Sequence, residues 1–455
     1  MKMSETRTEL LEKSLVKLMI KLSVPAIVGM LVIGLYSFMD AVYVGQLIGS
    51  NAMGAISVAY PFTLFNSGIA TLIGIGSASV LSRAIGRKDT WTVDKIMGNL
   101  AALVSILSII ATVVVITFSR QLLSITGAKG EILELAVRYL RVVFIGSIFV
   151  NFAQSANMIM RAEGLMKKAM SFMALGAIAN IILDPVLILA MGERGIEGAA
   201  IATVLSQVIQ AVVTLIYFVK KSEVVRFHGI KIANELLPEI FAVGVSAMLM
   251  QVLFFIQQTV LYNIASRYGG AAQIILIGAS QRIQAFSFIP LWGMSQGLQP
   301  LVGTNFGAGS YDRVKKSANL FMFGATILAL CFWIPIQLAP AAMLAMFIKD
   351  TAIVAQGVGY FRLMYSIFPV SAVLIMAITF FQALGRGGKA TVLVVLRQVG
   401  LFVPLAVLLP RLMNIRGVWA SPPVADGMVF ILSIVMLALE YRRMGKTDLS
   451  QKAAI

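Results

Sequence analysis

The chain has 455 residues, 59% of them hydrophobic and only 13% charged, with a mean hydropathy of +0.90. Such values lie outside the globular range and describe a polytopic membrane protein. A formal charge of +17 invites a nucleic-acid reading, but the basic residues form no stripe interleaved with aromatics and collect instead in alternate loops. The single cysteine, Cys331, rules out an intramolecular disulfide, and the single histidine, His228, rules out metal chemistry built on His/Cys clusters.

The N-terminus mixes charges (Glu5, Arg7, Glu9, Glu12, Lys13, Lys17), and no short apolar core with a cleavage site follows it, so the first hydrophobic segment is expected to stay as a helix. Hydropathy predicts twelve transmembrane segments: 16–44, 52–82, 96–118, 131–160, 169–191 and 196–219, then 236–266, 272–303, 317–340, 352–383, 391–413 and 418–441. Period-two alternation of the barrel kind is absent, so all twelve are expected to be helices. Several exceed the roughly 20 residues needed to cross, which predicts tilt or protrusion.

The loops on the side of the termini carry 25 lysines and arginines, and the opposite side carries seven. By the positive-inside rule both termini are expected in the cytoplasm, in a plasma-membrane protein. The high basic charge is thereby explained by topology.

The chain repeats itself at an offset of 221, which carries Gly76 to Gly297, Gly86 to Gly307, Tyr139 to Tyr360, Arg141 to Arg362 and Gly164 to Gly385. Six helices per copy is an even number, so both copies start on the same face and their pseudo-two-fold axis runs along the membrane normal. The expected architecture is all-α, with two six-helix lobes (residues 1–220 and 221–455) around a central cavity, joined by the polar segment 220–235. That is the layout of a transporter.

Where the repeat fails, it marks candidate chemistry. Asp40 maps to Leu261, Asn157 to Ile378, Asn180 to Leu401 and Asp184 to Leu405. A carboxylate at membrane depth is costly and normally faces a cavity or an ion path. Asn180 and Asp184 are one helical turn apart and share a face. Asp40 and Asp426 are the other acids at comparable depth, with Arg397 or Arg416 as candidate partners for Asp426. Two carboxylates with an amide supply hard oxygen ligands, suited to protons or a hard cation. Pro25 is expected to kink the first helix. Tyr139 and Tyr360 are expected to hydrogen-bond inside each lobe, while Arg141 and Arg362 suit a structural ion pair at least as well as a substrate role. The 25 methionines and 26 phenylalanines are expected mostly at lipid-facing and packing positions, some lining an adaptable cavity.

The stretches LSVPAIVGMLVIGLYSFMDAVYVGQLIG, SRAIGRKD, NIILDPVLI, GAAIATVLSQ and FGAGSYDRVKKS, in this order over nearly the whole chain, resemble the MATE (multidrug and toxic compound extrusion) family, most of all its MepA-like branch. The resemblance implies an antiporter that expels drugs as Na+ or H+ enters, by alternating access of two lobes. It implies a cation site, for H+ or Na+, at Asp40, Asn180, Asp184 and Thr203, with Tyr139 and Asn157 nearby and the bent first helix at Pro25. Family members with a second-lobe site use acids on the seventh and tenth helices. Here those helices carry Gln251, Gln257 and Gln258, and no acid lies between Glu239 and Asp312 or between Asp350 and Asp426. Gln251 and Gln257 are therefore grouped with Asp426 only as a candidate secondary polar site.

The expected function is secondary active efflux of small amphiphilic, mostly cationic drugs and dyes, with no cofactor beyond the coupling ion and no partner subunit required. No GxxxxGK[ST] loop is present for ATP-driven pumping. The alternative is an exporter or flippase of a lipid-linked or amphipathic metabolite, against which twelve helices rather than fourteen argue mildly. A lipid-modifying enzyme would need convergent His or acid clusters that the chain lacks, and two dissimilar lobes fit rocking better than a channel.

Overall fold

The computed structural model describes residues 2–126 and 128–453. The described residues are mostly helical, and no β-strand occurs among them. A short helix α1 (Lys2–Glu12) precedes the apolar helices α2 (Leu15–Leu47), α3 (Ser50–Arg87) and α4 (Thr90–Ile125). A fourth crossing is made of two pieces, α5 (Gly130–Ile145) and α6 (Ser147–Ala162), and α7 (Met166–Met191) and α8 (Gly195–Ile216) complete the first lobe.

The second lobe opens with α9 (Leu237–Gly307), whose two arms meet at Gly270, where φ is +65°. That conformation suits glycine, and it turns the chain back across the bundle. Then come α10 (Tyr311–Leu338), the short α11 (Pro340–Ala345), α12 (Thr351–Met364) and α13 (Phe368–Ala383). The last two crossings are α14 (Gly387–Val395) with α15 (Phe402–Met413), and α16 (Ile415–Ala453).

Among the described residues, nine helical stretches are long and apolar enough to span, and α12 with α13, bent by 44°, makes a tenth. One of the nine, Met166–Lys221, holds both α7 and α8, and the α5–α6 pair occupies the remaining place, so twelve crossings follow in the predicted order. The exposed apolar side chains, such as Val113, Ile182, Val186, Phe323 and Ile431, form the lipid-facing belt that the composition required.

The lobes meet along a seam between α3 and both arms of α9, with α2 packed on α9 beside it. The seam lies towards the face that carries the termini, and it is built from glycines. A Cβ on Gly76 would overlap the Ile240 carbonyl, one on Gly86 the Thr304 carbonyl, and one on Gly307 the Arg83 carbonyl. Backbone meets backbone there, the closest approach two helices can make. Polar ties reinforce the seam: Gln251 Nε2 donates to Thr71 Oγ1 at 2.6 Å, and Arg161 donates to Gln296.

On the opposite face the lobes part around a cavity of about 1220 Å³. The segment joining them is irregular from Ser222 to Ala233 and is bound to the first lobe. Lys231 N–H donates to the Gly98 carbonyl at 3.4 Å, and Ala233 N–H to the side chain of the fully buried Asn99 at 3.0 Å.

Candidate functional site

Asn180 and Asp184 sit on the inner face of α7, each 1% exposed, as their four-residue spacing requires. Asn180 Nδ2 donates to Asp184 Oδ1 at 3.2 Å. Asp184 Oδ2 and Asn180 Oδ1 are buried without a protein donor. Pro185, the next residue, lacks an N–H and so leaves a helix carbonyl one turn back without its donor. Oxygen acceptors thus accumulate on this turn with no cationic side chain beside them among the described residues.

Asp40 comes in from α2, and its carboxyl lies within hydrogen-bonding reach of Asp184. Two carboxylates are acceptors only, so a hydrogen bond between them exists only with one proton shared. Tyr36 and Tyr139 lie within electrostatic reach of both acids, and Tyr139 is 8% exposed. Of the predicted set, Asp40, Asn180, Asp184 and Tyr139 are therefore brought together. Tyr36 joins them, and its position could have been found: it stands one helical turn before Asp40, on the same face.

Two predicted members lie elsewhere in the hydrogen-bond network. Asn157 Nδ2 donates to the Ala169 carbonyl at 2.6 Å, eleven residues and about 16 Å of helix below Asn180. Thr203 Oγ1 donates to the Ala199 carbonyl of its own helix at 3.1 Å, leaving its lone pairs as acceptors. Pro25 lies inside α2, which continues through it.

The second polar group stands in the cavity wall. Arg397, in the π-turn 396–400 between α14 and α15, grips Asp426 of α16 with both arms, Nε to Oδ1 and Nη2 to Oδ2 at 2.9 Å each. Ser371 Oγ adds a bond to Oδ2 at 2.7 Å, and the guanidinium lies 5.8 Å from the centre of the Phe288 ring. Gln257 lines the same cavity, whereas Gln251 is taken up by Thr71 in the seam. Of the two candidate partners for Asp426, Arg397 is the one engaged.

The repeated Tyr–x–Arg pairs share one role and differ in the other. Arg141 Nε donates to Ser119 Oγ at 3.1 Å, and Arg362 Nε to the Gln337 carbonyl at 3.0 Å, so Arg141 ties α5 to α4 and Arg362 ties α12 to α10, each by a hydrogen bond rather than an ion pair. Tyr139 lies within electrostatic reach of the carboxyl pair, while its repeat mate Tyr360 stacks on Trp419 with the rings 5.8 Å apart.

A family model described as MatE matches residues 25–186 and 246–408, two stretches that begin 221 residues apart. The multidrug export protein MepA of Staphylococcus aureus (strain N315) is 30% identical over 433 residues, 94% of this chain and 95% of its own. A crystal structure of MATE in the bent conformation superposes with a TM-score of 0.91 at 26% identity, covering 97% of this chain and 99% of that one. An outward-facing multidrug resistance MATE transporter of the MOP superfamily superposes at 0.88, again at 26% identity, over 96% and 98% of the two chains. With two copies of one family pattern, full-length relatives and the same fold, the chain belongs to the MATE family of multi-pass membrane transporters, close to its MepA-like members.

Proposed function

We propose that this protein is a secondary active exporter of small amphiphilic drugs and dyes, cationic ones first among them, driven by inward movement of H+ or Na+. The observation that carries the reading is the buried Asp40–Asp184 pair with Asn180 beside it, whose free acceptor oxygens suit a proton or a hard cation. Asp184, Asp40 and Asn180 are the coupling group, with Tyr36 and Tyr139 shaping its surroundings and the Thr203 oxygen available to a sodium ion. The name of the MepA relative supports export of drugs as the task.

Both termini lie in the cytoplasm on this reading, in keeping with the 25-to-seven distribution of basic residues. The glycine seam is then the cytoplasmic gate, and the cavity faces outward. Arrival of a cation neutralises the carboxyl pair and favours one packing of the first lobe. The second lobe rocks against it, and substrate and cation bias the same equilibrium in opposite directions.

The test is ethidium efflux from energised cells carrying wild type or Asp184→Asn at equal membrane abundance, with Na+ present or withheld. Wild type extrudes the dye and the variant retains it, and the Na+ dependence identifies the coupling ion. An Asp184→Asn protein that pumps like wild type would overturn the coupling role.

A further inference from the structure

The wall of the outward cavity holds three charged side chains: Arg282, Arg397 and Asp426. Asp426 is its only acid among the described residues, and both carboxylate oxygens are occupied by Arg397 and Ser371. A cationic head group entering here meets no open carboxylate and must first displace a bidentate guanidinium. Arg282 is in the opposite condition. It is exposed to the cavity, and the ion pairs of this lobe's interior, Arg386 and Lys389 with Glu440 and Arg397 with Asp426, do not include it.

Position sharpens the contrast. Arg282 and Phe288 are six residues apart on the second arm of α9, about 9 Å along the axis, with Phe288 the deeper of the two. Tyr262, on the other arm, lies within electrostatic reach of Arg282, and its hydroxyl stands 3.7 Å from where a Cβ of Gly278 would be, one turn from Arg282. The amides of Gln257 and Gln284 line the same space. Farther in, Phe288 and Trp292 supply apolar faces. A cavity of about 1220 Å³ takes a drug-sized molecule with room for water.

We infer that this cavity contains a subsite for the acidic head group of an amphiphile, a carboxylate or sulfonate, held by Arg282 with the Tyr262 hydroxyl, its apolar body lying towards Phe288 and Trp292. This adds acidic amphiphiles to the cationic class named above, and it rests on the export reading only in treating the cavity as a place where substrate binds. The guanidinium fork matches a carboxylate in two parallel hydrogen bonds, a recognition that lysine does not reproduce.

The test is equilibrium binding of a matched pair, 1-naphthaleneacetic acid and 1-naphthaleneacetamide, to the purified full-length protein by calorimetry at neutral pH. The acid should bind about tenfold more tightly than the amide, as a charge-assisted bond in a recessed site implies. Arg282→Gln should bring the ratio to about one by weakening the acid alone, with an unchanged melting profile, and Arg282→Lys should keep a smaller preference. Equal binding of acid and amide by wild type, no binding of either, or an undiminished ratio in Arg282→Gln overturns the subsite. The ratio is read without transport, so a wild type that fails to export ethidium removes the export reading and leaves this one standing.

Discussion

Arg83 of α3 and Glu239 of α9 close the end of the seam, with Nη2 3.1 Å from Oε2, the arginine 7% exposed and the glutamate 52%. The guanidinium also donates through Nε to the Ser79 carbonyl at 3.1 Å. One side of the pair is thus fixed in the first lobe, while the other reaches in from the second. Glu239→Gln should loosen this closure by about 1 kcal/mol, because a half-exposed partner is partly replaced by water. Thermal denaturation and protease sensitivity of the loops on this face both read that change, and an unaltered profile in both would count against the pair as a latch.

Gly76→Ala and Gly307→Ala each put a methyl group into a backbone carbonyl of the facing lobe. Neither neighbour is a flexible side chain, so the lobes must separate locally, at a cost of about 1–3 kcal/mol. That cost shifts the population away from the closed seam by roughly tenfold or more. Spin labels on the terminal-face ends of α3 and α9 should report a longer distance in the variants. An unchanged distance distribution would show that the seam yields without opening.

The Arg397–Asp426 pair is nearly buried, its side chains 13% and 15% exposed, so removing one partner leaves a charge uncompensated. Arg397→Met or Asp426→Leu alone should destabilise by up to about 3 kcal/mol, and the double variant should recover most of the loss. Additive losses in the double-mutant cycle would mean that the two side chains do not act as a unit.

Glu163, in the turn between α6 and α7, is 1% exposed. Burial pushes its carboxyl up to about 8, against the opposing effects of Lys168 and of the Val225 N–H that donates to it. An acid with a raised folded pKa stabilises fully below its unfolded value near 4.5, and this contribution is lost as pH rises through about 8. Stability should therefore fall between about pH 4.5 and 8, at up to about 1.4 kcal/mol per pH unit from this one group. Glu163→Gln should flatten that slope in thermal denaturation measured across the interval. A slope identical to wild type would assign the pH dependence to other groups.

Asn180→Leu removes the amide donor to Asp184 and leaves the carboxyl pair in place. Ethidium efflux should drop at least about tenfold, in line with loss of a hydrogen bond to a charged group, while abundance and melting stay near wild type. Full efflux in this variant would remove Asn180 from the coupling group.

Helix number and order were legible because lipid forces every crossing to be an apolar helix, and the 221-residue repeat was legible because its glycines hold the same backbone approaches in both halves. Asp40, Asn180 and Asp184 stood out because charge and amide at membrane depth need a reason. What stayed hidden depends on distance in space rather than along the chain. Asn157 has the polarity of a site residue but is held by the Ala169 carbonyl. Arg282 was not singled out by the sequence, and only the fold sets it in a cavity where Asp426, the acid among the described wall residues, is already paired. Tyr139 and Tyr360 are equivalent by sequence offset, and only their neighbours, two carboxyls in one lobe and Trp419 in the other, separate them.

The irregular segment from Ser222 to Ala233 is fastened to α4 and to the π-turn 217–221 after α8 by Lys231, Ala233 and the Phe227 N–H, which donates to the Phe218 carbonyl at 3.2 Å. It therefore belongs with the first lobe, and the single turn Asn234–Leu236 is the covalent joint to the second. Cut between Ala233 and Asn234 and expressed as two polypeptides, the halves have six crossings each and share the whole glycine seam, so they are expected to assemble as a heterodimer in which each half is mutated, labelled or tethered on its own.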